Sequence, residues 1–250
     1  MNCENNISAR GFCPFCSKEH FLYEGNAKNI ALELIEKLEK YKRLDYEKSN
    51  ETADPKFFTD YVFGKALGQM FGVLECKNED GEIVILKAFS GQYNGIWKIE
   101  NWVPPLLDVK KFDQLVLEED KKIKKLGKEI EILEEDSIER KDLVKKRKEL
   151  SRALLRSIYE LYELHNFKGE KKSLFDLFGN KGIPTGTGDC CAPKLLNYAA
   201  KNGLKPLSLA EFYFGKENLS KTKQHKIFYP SCKDKCYPIL GFMLCGAENE

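Results

Sequence analysis

Between residues 112 and 166 the chain contains no proline and a single glycine, Gly127. A soluble segment of that length without breakers is directed toward helix. Ile123, Leu126, Ile130 and Leu133 stand three and four residues apart, the spacing of one helical face. Leu143, Leu150, Leu154, Ile158 and Leu161 carry a similar stripe, and Glu134-Glu135-Asp136-Ser137 breaks the pattern between them. Two antiparallel helices are therefore expected rather than one of about 55 residues. From Glu118 to Leu150 there are 11 basic and 11 acidic residues. That balance marks a solvated, coiled-coil-like hairpin and not a nucleic-acid stripe.

The flanking segments read as α/β. Ala27, Ile30, Ala31, Leu34, Ile35 and Leu38 predict a helix over 26–48, followed by a polar loop ending at Pro55. Phe71–Cys76 and Ile83–Phe89 are apolar runs around Asp80-Gly81, a β-hairpin signal. Beyond the glycine-rich stretch 182–188, a helix is expected from Asp189 to Lys201, closed by Asn202-Gly203. A strand over Leu207–Phe214 and a second helix over Ser231–Cys245 follow. The organisation expected is 1–111 as an N-terminal α/β part, 112–167 as a helical insertion, and 168–250 as a cysteine-rich part completing the core.

Composition bounds the function classes. With 250 residues the chain can bury a core without needing metals or disulfides merely to fold. Lysine plus arginine is 41 against 39 acids, which excludes a bulk polycation. There is no run of about 18 apolar residues to span a membrane, and residues 1–10 lack a signal core. Cytoplasmic residence is expected. Nine cysteines, an odd number in a lysine- and glutamate-rich chain, suggest reduced thiols and metal ligands rather than a disulfide framework.

Two cysteine clusters carry the chemistry. Cys190-Cys191 and Cys232-x3-Cys236 fall at two expected helix starts, where the helix dipole favours thiolates. Zinc needs three or four such ligands, so these four are its candidate site. Asp189, just before the pair, is either the helix N-cap or a catalytic proton shuttle. Cys13-Pro14-Phe15-Cys16 with His20 and Cys3 is a second candidate metal set. Between Cys190 and Cys245 there are nine lysines and three acids, a basic lobe inside a near-neutral chain. Lys194, Lys221, Lys223, His225 and Lys226 are its candidate RNA contacts, with Tyr213, Phe214, Phe228 and Tyr229 serving either as base-stacking surfaces or as core.

The order hairpin, helix opening on cysteine, strand, helix opening on cysteines resembles the cytidine-deaminase-like fold. There a zinc-bound water attacks a base while a glutamate moves protons. Cys190-Cys191-Ala192-Pro193-Lys194 is similar to the Cys-Ala-Glu-Pro-Lys version of that motif, with Ala192 where the glutamate stands. Asp189 or a distant carboxylate would then have to take its role.

A wider resemblance lies in Gly186-Thr187-Gly188-Asp189-Cys190, Gly203-Leu204-Lys205-Pro206, Phe228-Tyr229-Pro230-Ser231-Cys232 and Pro238-Ile239-Leu240-Gly241. Met70-Phe71-Gly72-Val73-Leu74, Ala88-Phe89-Ser90-Gly91, Val103-Pro104-Pro105 and Pro14-Phe15-Cys16 extend it. Together they resemble the N-terminal extension of bacterial RluA-group RNA pseudouridine synthases. The resemblance implies RNA modification, with tRNA or rRNA as partner. In that family a catalytic domain follows the extension. With the chain ending at Glu250, pseudouridine formation by this chain alone is not expected. Arg43-Leu44-Asp45 has the residues of that family's catalytic stretch. However, Lys42 replaces the usual histidine and Asn50 the glycine, and we read the match as coincidence.

The expectation is thus an α/β, deaminase-like sheet interrupted by a charged helical hairpin that offers a surface for self-association or a protein partner. Zinc would support a site that acts on or recognises an RNA base. The alternative is a non-catalytic RNA-binding accessory with structural zinc.

Overall fold

In a computed structural model, residues 6–179 and 181–247 are described. The chain is mixed α/β. Its central sheet joins β3 (Gln69–Lys77), β4 (Ile83–Phe89) and β7 (Lys205–Phe214) in the order β4-β3-β7, all neighbours antiparallel. Gly81, with φ +88°, supplies the left-handed residue that the β3–β4 turn requires.

Strand alternation divides the sheet into two faces. Phe71 and Val73 of β3 and Ala210, Phe212 and Phe214 of β7 lie on one face, under α1 (Ala27–Tyr41). There Phe71 stacks on Phe212 with ring centroids 5.8 Å apart, and Trp102 and Tyr93 close the layer. Leu74, Cys76 and Leu209 lie on the other face, against α6 (Cys191–Lys201), and α7 (Tyr237–Met243) packs on α6 in the same core.

A second antiparallel pair, β1 (Ile7–Cys13) and β2 (Lys18–Tyr23), packs on α7. The helix α1 is shorter than expected, because Lys42 turns left-handed (φ +53°) and Arg43 pairs with Phe58 instead. A single turn, α2 (Asp60–Phe63), leads into β3.

The proline-free segment forms α3 (Val109–Glu131) and α4 (Ile138–Tyr159), which contact each other. Asp108 caps the first and Ser137 the second, each side chain accepting from backbone N–H groups. Beyond them, β5 (Glu163–His165) pairs with β6 (Lys171–Ser173), and α5 (Leu174–Phe178) starts at a capping box of Ser173 and Asp176. Among the described residues no helix is long and apolar enough to cross a membrane.

Candidate metal centre and cysteine cleft

The N-terminal knuckle comes from local geometry. β1 ends at Cys13, and Ser17, left-handed at φ +57°, returns its N–H to the Cys13 carbonyl at 2.9 Å. Cys13 and Cys16 therefore face the same side. On β2 the alternation turns His20 inward, opposite Gly11. The fourth member is Cys245, just beyond α7 and 229 residues from Cys16.

The four ligand atoms of Cys13, Cys16, His20 and Cys245 all lie within 4.8 Å of one another. Cys16 Sγ is 3.0 Å from His20 Nε2 and 3.6 Å from Cys245 Sγ. A tetrahedron with metal–sulfur bonds of about 2.3 Å has an edge of about 3.8 Å, so the group fits a tetrahedral cation such as zinc. It could hold a metal ion, and all four positions would be protein ligands. Burial pushes the Cys16 thiol up, but hydrogen bonds from His20, the Lys18 backbone, Cys13 and Cys245 outweigh it and bring it to about 6. Burial, with the Cys16 hydrogen bond and the charges of Cys13 and Cys16, pushes Cys245 to about 12. Cys3 lies outside the described residues. The fourth position expected of it is taken by Cys245, which the sequence offered only as the end of a helix.

The C-terminal cysteines are arranged differently. Among the described residues no second set of three or more such ligand atoms converges as the knuckle set does. Cys191 leaves the expected set outright: fully buried under β3, its Sγ donates to the Met70 carbonyl at 3.3 Å. Cys190 is the N-cap of α6. Cys232 sits in a turn before α7 rather than at its start, and Cys236 is the N-cap, hydrogen-bonded to both Cys190 and Cys232. The Cys236 thiol, aided by the backbone N–H groups of Lys235, Asp234 and Cys236, overcomes burial and lowers Cys232 to about 5.

Cys190 and Cys232 open onto a cleft of about 390 Å³ whose wall includes Glu211, Lys223 and Tyr229. Sequence reasoning missed Glu211. It lies on the α6 face of β7, opposite Gly72 of β3. Its Oε1 accepts the Ala192 N–H at 2.9 Å and its Oε2 the Ser231 hydroxyl at 2.8 Å. Burial raises it to about 6 against these two donors and the charge of Lys223. Alternation along β7 was the available signal: Leu209, Glu211 and Tyr213 share a face, so a carboxylate was due beside α6.

Asp189 is neither N-cap nor part of this cleft wall. It accepts the Tyr162 hydroxyl at 2.7 Å, and burial raises its pKa. No protein-family model, curated protein or solved structure matches the chain.

The expected RNA contacts fall into buried, paired and exposed side chains. Lys194 is 1% exposed, and its ammonium is held by the carbonyls of Phe89 (2.9 Å) and Gly91 (2.7 Å), so it serves the core. His225 is half-buried, packs on Phe63 and Phe214 and accepts the Gly215 N–H at 3.1 Å. Lys226 is paired with Glu39. Lys221 is exposed, and Lys223 stands 3.5 Å over the Tyr229 ring at the cleft. Tyr213 and Phe214 are buried. Asp45 is 5% exposed, accepts the Asp54 N–H at 3.1 Å and lies 4.0 Å from Arg43 Nε.

Proposed function

We propose that this protein recognises an RNA base, of tRNA or rRNA, as an accessory to RNA modification. Zinc at Cys13, Cys16, His20 and Cys245 ties its two ends together, and the base enters the cleft at Glu211. The observation that carries this reading is Glu211 itself, a buried carboxyl on the wall of a cleft that also offers an aromatic ring and an ammonium. Each carboxylate oxygen keeps a second lone pair for a base N–H. Tyr229 supplies a face for stacking and Lys223 a cation near the phosphates. A closed set of four protein ligands supports a structural rather than a catalytic zinc. The exposed Leu117, Ile132 and Ile138 of the α3–α4 region are where we place contacts with a protein partner or a second copy.

The second reading is a zinc-dependent, deaminase-like enzyme in which Cys190, Cys232 and Cys236, which do not converge as the knuckle set does, would close on the metal when it binds. One observation favours it. The Glu211 carboxylate reaches the Ala192 N–H, the position at which the deaminase pattern carries its glutamate. A metal there would activate water, and Glu211 would hold or release a proton at Oε1.

The test is fluorescence anisotropy with labelled single-stranded RNA, together with nucleoside mass spectrometry of tRNA and rRNA incubated with the protein. Recognition predicts binding that Tyr229→Ala weakens by about 1–3 kcal/mol, with no nucleoside converted. Conversion of cytidine to uridine, or of adenosine to inosine, that disappears in Glu211→Gln establishes the second reading. Absence of both binding and conversion overturns the two together.

A further inference from the structure

A second pocket, of about 210 Å³, adjoins the Glu211 cleft and shares Pro230, Ser231 and Lys233 with it. Its remaining wall comes from the edge of β1, including Ser8 and Arg10, and from Tyr237. We infer that this pocket is a phosphate subsite, taking the phosphate of the nucleotide whose base enters the Glu211 cleft. The inference rests on the base-recognition reading above and adds the position of the phosphate.

Three features point to an anion. Arg10 and Lys233 are exposed cations lining the same cavity, and neither has a carboxylate within salt-bridge distance among the described residues. Arg10 presents a planar fork suited to two phosphate oxygens, and Lys233 a point charge. The third feature is Ser8. It is 2% exposed and its Oγ has no hydrogen-bond partner among the described residues, although its carbonyl accepts the Ser231 N–H at 2.7 Å. A buried hydroxyl without a partner is uncommon. Here it sits in the wall of the pocket that Arg10 and Lys233 also line. The nearby acids are otherwise engaged or turned to the other cleft: Glu19 accepts the Tyr237 hydroxyl at 3.3 Å, and Asp234 lines the Glu211 side.

The arrangement suits a nucleotide. The wall at Pro230–Ser231 separates a cleft with a stacking ring and a carboxylate from a pocket with two cations. Ser231 serves both sides, its hydroxyl donating to Glu211 and its backbone N–H to Ser8. Base and phosphate would therefore be read against one rigid segment.

The test uses the full chain and two probes. In the first, inorganic phosphate is titrated against wild type and against Arg10→Ala/Lys233→Ala, read by phosphorus NMR line broadening. In the second, a labelled single-stranded RNA of mixed sequence is titrated at several salt concentrations. Wild type should broaden the phosphate signal, and the double variant should not. The double variant should bind RNA about tenfold more weakly, with a salt slope lower by about one for each phosphate no longer neutralised. The charge-preserving Arg10→Lys/Lys233→Arg variant should recover most of both, which separates charge from misfolding. Wild type that fails to bind phosphate, or a double variant that binds RNA as tightly as wild type, overturns the subsite and leaves the base-recognition reading standing. Phosphate binding without any RNA binding overturns the nucleotide assignment and the base-recognition reading with it.

Discussion

Gly241 of α7 rests directly on the backbone of β1 at Gly11. A Cβ on Gly11 would stand 2.3 Å from Gly241 N, and one on Gly241 would stand 2.2 Å from the Phe12 carbonyl carbon. Neither glycine has positive φ, so their need is for closeness and not for conformation. Gly11 is also the register partner of His20. The contact therefore sets the height of α7 over the knuckle, and with it the reach of Cys245 to Cys16.

Gly11→Ala and Gly241→Ala should each destabilise the fold by about 1–3 kcal/mol through overpacking. They should also reduce bound metal, because Cys245 would be pushed off. Thermal melts and elemental analysis check this. A variant that melts earlier yet keeps its full metal content would show that the glycine contact does not govern the cluster.

The metal itself gives a sharper expectation. Purified protein should hold about one zinc per chain. Cys16→Ser and Cys245→Ser should lose most of it, and Cys232→Ser should keep it. Chelation should lower the melting temperature, since the metal's binding energy contributes to folding. Mass spectrometry of metal content on the four proteins decides. Loss in Cys232→Ser alone would move the metal to the cleft.

Glu211 makes stability fall as pH rises. Its folded pKa, about 6, exceeds its ordinary 4.5, so between those values the native state binds more protons than the unfolded one. Stability is highest below about 4.5 for this group, is lost as pH rises through about 6, and stays lost above. The shift corresponds to about 2 kcal/mol. Glu211→Gln should therefore gain stability relative to wild type as pH is raised from 4.5 to 7, by up to about that amount. A pH-independent difference between the two denaturation curves would refute this.

Asp45 should matter for stability and not for catalysis. Replacing it with alanine removes an acceptor from the partly buried Asp54 N–H and a partner from Arg43, at about 1–3 kcal/mol. Incubated with unmodified tRNA and rRNA, the wild-type chain should form no pseudouridine. Pseudouridine that vanishes in Asp45→Asn would make the Arg43-Leu44-Asp45 triplet a catalytic one.

Much of the local structure is legible from adjacent residues. The turn at Asp80-Gly81, the break at Glu134–Ser137 and the helix ending at Asn202-Gly203 each depend on a few neighbours in the chain. Alternation and 3-4 spacing mark the strands and helices of the two halves. Less legible are β1 and β2, where turn chemistry around Cys13–Ser17 and not a long apolar run creates the pairing. The helix expected over Ser231–Cys245 is too long because the segment before Pro238 is held as a turn by Cys236 and Tyr237 N–H groups on the Cys232 carbonyl.

Which side chains meet was decided by tertiary structure. The sequence determined that thiols stand at Cys13, Cys16, Cys190 and Cys232, and that His20 follows the first pair at a ligand's spacing. It did not determine that Cys245 completes the knuckle, that Cys191 turns under β3, or that Glu211 reaches the Ala192 N–H across the sheet. Local propensity and periodicity act over a few residues and are written into adjacent positions. Convergence of groups far apart in the chain depends on how closely two elements can approach, at Gly241 and Gly11 for the knuckle and at Gly72 and Cys191 for α6 on the sheet.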